Sequence, residues 1–77
     1  MTMRGYRYKT RRGPVYIVPR NGRWSVIYDD DDLGSYHSPV SAADDVAGGH
    51  TLSPSNGADF EELGVPESIH EWEQFRI

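Results

Sequence analysis

At 77 residues the chain stands near the lower limit for independent folding, where roughly 60% of the unfolded surface is buried, so one domain is the ceiling. Having no cysteine, it can build neither a disulfide framework nor a thiolate metal site, and its stability must come from a small apolar core, a partner or self-association. The net charge of −4 hides a division: five basic and no acidic residues in the first twelve, then three basic and twelve acidic in the remainder, with no stretch near the roughly 20 apolar residues a membrane span requires.

Residues 1–13 interleave Arg4, Arg7, Lys9, Arg11 and Arg12 with Tyr6 and Tyr8 and end in Gly13-Pro14. A helix is disfavoured there, and a basic, flexible or extended tail is expected, with a domain boundary near Gly13 and a single small α+β domain over 14–77. Val15-Tyr16-Ile17-Val18 is β-branched and aromatic, and after Asn21-Gly22 comes Trp24-Ser25-Val26-Ile27-Tyr28. Asn-Gly favours the positive φ angles of a type I′ turn, so these runs read as an antiparallel hairpin. Pro19 cannot donate to a ladder and belongs at an edge or past the last bonded pair. Trp24, Val26 and Tyr28 alternate onto one face, which is expected to be buried around Trp24.

Beyond Asp29 to Asp32, Leu33-Gly34-Ser35-Tyr36 reads as a short third strand, and Leu33 and Tyr36 can share a face only across a bulge, which Gly34 can supply. Ser38-Pro39 is an N-cap followed by proline at the first helical position. Val40, Ala43, Val46 and Ala47 then form a narrow apolar stripe that ends at Gly48-Gly49. Residues 50–57 read as a loop anchored by Leu52. Residues 58–63 are expected to make one helical turn closed by Gly64, and Glu67 to Phe75 a short C-terminal helix with Ile69, Trp72 and Phe75 on one face. The expected architecture is a three-stranded antiparallel meander packed by one helix, with that short helix at the C-terminus.

Asp29, Asp30, Asp31 and Asp32 invite comparison with a calcium loop. Counted from Asp29, however, Leu33 and Val40 occupy the fifth and twelfth ligand positions, where oxygen donors are required. His37, His50 and His70 are too dispersed for metal-ligand spacing, Asp44 and Asp45 being the nearest carboxylates on the intervening helix. No nucleophile elbow or phosphate-cradling glycine loop is present. No metal, cofactor or catalytic residue is expected, and the protein is read as a binding protein rather than an enzyme.

The segment Arg23-Trp24-Ser25-Val26, with Gly34-Ser35-Tyr36, Ser38-Pro39 and the Ala-rich helix, resembles a group of short bacterial domains of unknown function in which a Trp-bearing hairpin precedes one helix. The resemblance covers about residues 15–47 and implies a fold, not an activity. In size and charge the chain is also similar to small bacterial or phage inhibitors such as anti-CRISPR and immunity proteins. The functional expectation is a cytoplasmic, non-enzymatic protein that meets the basic face of a protein partner through Asp29, Asp30, Asp31, Asp32, Asp44 and Asp45. Two alternatives stand beside it. One is nucleic-acid binding through Arg4, Arg7, Lys9, Arg11 and Arg12, with Arg20 and Arg23 in support. The other is a homodimer joined by sheet edges or C-terminal helices. No membrane partner is expected.

Overall fold

Three tight turns, each solved by different residues, generate four of the strands. A computed structural model describes residues 4–76 and places β1 at Arg4–Thr10, β2 at Gly13–Arg20, β3 at Arg23–Tyr28 and β4 at Asp31–Tyr36. Between β1 and β2 the chain re-enters the sheet at Gly13, whose φ of 105° is closed to ordinary side chains, while Thr10 Oγ1 donates to the Gly13 carbonyl at 2.7 Å. Between β2 and β3 Asn21 and Gly22 adopt φ of 53° and 76°, as the Asn-Gly signal predicts. Between β3 and β4 the two central residues are Asp29 and Asp30, with φ of 50° and 68°.

The sheet has five strands in the order β4-β3-β2-β1-β5, all antiparallel, with β5 at Glu73–Arg76. This corrects the three-stranded meander. The two further strands come from segments assigned otherwise in sequence. Arg4–Thr10, read as part of the basic tail, is β1 and pairs with β2 from Tyr6↔Ile17 to Thr10↔Gly13; residues 1–3 of that tail lie outside the described residues. The C-terminal helix is replaced by a 3-10 turn at Ile69–Glu71 and by β5, which pairs with β1 from Arg4↔Arg76 to Arg7↔Glu73. The physical reason is shared: each segment holds too little apolar surface to stand alone, and each offers the other a row of backbone partners.

Register sorts the side chains. Tyr6, Tyr8, Val15, Ile17, Val26 and Tyr28 lie on one face, and Arg7, Lys9, Tyr16, Val18, Ser25, Ile27, Glu73 and Phe75 on the other. In β4 the register slips between Val26 and Ile27, making Leu33 the extra residue of a bulge and turning it into the core, where Tyr36 also packs. Gly34 at φ 154° permits this, and a Cβ there would stand 3.0 Å from the Tyr36 ring. Pro19 falls beyond Ile17, where the pairing with β1 ends, so its missing N–H leaves no gap in that ladder.

Helix α1, Pro39–Ala47, lies on the first face. Ser38 caps it by accepting from the Ser41 N–H, and a Schellman arrangement ends it: the Gly49 N–H donates to Val46 and the His50 N–H to Asp45. The buried stripe is Ala42, Ala43 and Val46 rather than the expected one, because Val40 is turned to solvent. Residues 50–72 complete this layer. Leu52, expected to anchor the loop by its side chain, is 67% exposed and is held instead by its N–H, which donates to the Leu33 carbonyl. Phe60 meets Tyr28 edge-on at 5.1 Å, and an i to i−4 bond from Leu63 to Asp59 forms the single helical turn before Gly64. Trp72 is buried, and its indole donates to the Pro66 carbonyl at 2.9 Å. Trp24 is only partly buried and leans on Tyr6 with ring centres 6.0 Å apart, so the core centres on Val15, Ile17, Val26 and Tyr28.

Candidate functional site

Folding converts the charge division of the sequence into a division in space. From Trp24 to Phe75 there are twelve carboxylates and no lysine or arginine, and this stretch supplies the β3–β4 turn, β4, α1 and the loop layer. The cations belong to β1, the β1–β2 turn, the end of β2, the start of β3 and the last described residue, Arg76.

The four consecutive aspartates have separate surroundings. Asp29 and Asp30 are exposed at the tip of a hairpin, both left-handed, a conformation that Asp tolerates better than most residues. Asp31 latches the loop layer to the sheet: its Oδ2 accepts from the Ser55 hydroxyl at 2.6 Å and from the Ser55 N–H at 3.0 Å. Those bonds, the hydroxyl one first, hold its carboxyl below the usual range. Asp32 turns to the opposite face, where it accepts from Arg20 at 3.3 Å and from the Gly34 N–H at 3.2 Å. Asp44 is exposed on α1. Asp45 stands beside Tyr36, whose phenol is pushed up to about 12 by burial and by that carboxylate. Tyr36 lies five residues along β4 from Asp31, a span of about 16 Å, so the six carboxylates make no single cluster, and Asp32 stands apart from the rest on the other face of the sheet. Among the described residues no group of three or more His, Asp or Glu side chains is arranged to hold a metal ion.

The five basic residues of the N-terminal segment are likewise dispersed. Tyr6 and Tyr8, the aromatics interleaved with them, are partly buried and pack against Trp24 and Trp72 on the core face. Arg4 donates to Gln74 at 3.0 Å, and Arg12 donates to the Asn56 carbonyl at 3.1 Å. Arg7 forms a 2.6 Å ion pair with Glu73, which lowers the Glu73 carboxyl and raises the guanidinium, while its charge lies 5.6 Å from the centre of the Phe75 ring.

Sequence reasoning did not foresee the open face of the sheet. Tyr16 and Phe75 meet there edge-on at 5.7 Å, Val18 and Ile27 are half-buried beside them, and Lys9, Arg20 and Arg23 are exposed around them. At one end a cleft of about 220 Å³ is floored by Tyr16 and Ile27, with Asp29, Asp30 and Arg12 among its walls. The available signal was the alternation of Tyr16 and Val18 with the core residues Val15 and Ile17. It becomes informative only once a strand is known to lie on each side of β2. No family model, curated protein or solved structure matches this chain.

Proposed function

We propose that this is a non-enzymatic binding protein that engages a basic face of a protein partner through its acidic side, with Asp29, Asp30 and Asp44 as the contacting carboxylates. The observation that carries the reading is the absence of any lysine or arginine between Trp24 and Phe75, which leaves twelve carboxylates with few counter-ions of their own. Among the described residues Asp32 pairs with Arg20 and Glu73 with Arg7, both toward the open face. Exposed carboxylates of this kind attract guanidinium and ammonium groups over a Debye length and set the rate and specificity of association. Asp31 belongs to the framework through Ser55, and Asp45 through its contact with Tyr36.

The test uses paired baits from the native cell: the wild-type chain and a D29N/D30N/D44N variant. Asparagine keeps the shape and tolerates the left-handed turn, so only charge is removed. A protein retained by the first bait and lost from the second, with retention weakening as salt rises, supports the reading. Identical recovery by both baits refutes it.

A further inference from the structure

We infer that the open face of the sheet is a second binding surface, and that its ligand is single-stranded nucleic acid, held by Tyr16 and Phe75 as stacking groups and by Lys9, Arg20, Arg23 and Arg7 as phosphate contacts. This does not rest on the acidic-side reading: the residues lie on the opposite face of the sheet from α1, and the two surfaces meet only at the cleft where Asp29 and Asp30 stand near Tyr16.

Three observations carry it. First, α1 and the buried residues of the loop layer pack on one face only, so the other presents β2 and its neighbours to solvent. Second, its charge is complementary to a polyanion. Lys9, Arg20 and Arg23 are exposed; the face-matched acids Asp32 and Glu73 are each paired, with Arg20 and Arg7, so that Lys9 and Arg23, the latter bonded to Ser35, stand in excess, and Asp29 and Asp30 enter only at the cleft end. Third, the Tyr16 and Phe75 rings, from β2 and β5, meet edge-on at 5.7 Å and the Arg7 guanidinium lies over the Phe75 ring at 5.6 Å, so aromatic and planar cationic surface adjoin. Bases stack on both, and the combination of rings with flanking cations is what separates a nucleic-acid strand from a simple acidic polypeptide.

The experiment measures anisotropy of a labelled oligothymidylate of about 12 nucleotides, within the usual site size for such platforms, against the full chain at low and moderate salt. Tyr16→Leu and Phe75→Leu keep apolar volume and remove the π face; each is expected to weaken binding at least about fivefold. The exposed pair K9Q/R23Q is expected to flatten the logarithmic salt dependence by about 1.4, that is, about 0.7 per lost phosphate contact. Far-UV circular dichroism checks folding. Should either aromatic variant fail to fold, K9Q/R23Q still decides through the salt slope. Absence of binding at low salt overturns the proposal. So does binding indifferent to these substitutions, equal displacement by polyglutamate, or light scattering showing that the same substitutions abolish a self-associated dimer.

Discussion

Asp29 and Asp30 place two adjacent carboxylates at the two left-handed positions of a hairpin that Asn-Gly would fill with less strain. The like charges repel and the second position lacks the glycine that the neighbouring β2–β3 turn has, so Asp30→Gly is expected to raise stability by about 0.5–1 kcal/mol, or about 2–8 °C in melting temperature. A fall in melting temperature would show that Asp30 has a stabilising contact. Asp31 behaves differently. Its carboxyl is held below the ordinary value of 3.8 by Ser55, so the ionised form is favoured in the folded state. The resulting stabilisation is complete above the unfolded value and disappears as pH falls through the lowered folded value. Asp31→Asn should therefore melt below wild type at pH 7, the gap closing in acid, as thermal denaturation across pH 7 to 2 can follow. A gap independent of pH would remove the latch.

At the scale of elements, the two tryptophans part company. Trp72 is 4% exposed and hydrogen-bonded through its indole, so Trp72→Ala leaves a cavity and an unpaired Pro66 carbonyl, a loss of about 3–5 kcal/mol. Trp24 is partly buried against Tyr6, and Trp24→Ala should cost less; urea denaturation of both variants gives the order directly. The same contrast explains what was readable in sequence. The Asn21-Gly22 hairpin, the Leu33 bulge, the Ser38-Pro39 cap and the Gly48-Gly49 stop are local devices, and local chemistry announces them. Strands β1 and β5 have no such device. Tyr6 and Tyr8 alternate with Arg7 and Lys9, a genuine strand period, but the density of charge reads as a solvated tail until Glu73 and Gln74 are known to meet Arg7 and Arg4. In β5 the only apolar residue among Glu73–Arg76 is Phe75, and it points away from Trp72 rather than alongside it as a helix would require. Pairing between segments almost seventy residues apart is a property of the whole chain, which is why it escapes a reading of windows.

For the whole molecule, separation of charge by layer organises both proposed binding surfaces. The acidic residues that looked like one run in sequence, Asp29 to Asp32, divide between an exposed tip, a latch and the open face, which leaves Asp29 and Asp30 of that run, with Asp44, for the proposed contact. A small core limits how far such a chain can store unbalanced charge, because repulsion among twelve carboxylates opposes compaction; a cationic partner relieves it and should stabilise the fold by mass action. The most direct measurement is an amide-resolved titration of the isotopically labelled chain with a short arginine-rich peptide. Shifts are expected to concentrate at the Asp29-Asp30 tip and around Asp44 on α1, to shrink with added salt, and to leave Val18 and Phe75 unmoved. Shifts centred on Val18 and Phe75, or none at low salt, would contradict engagement through the acidic side.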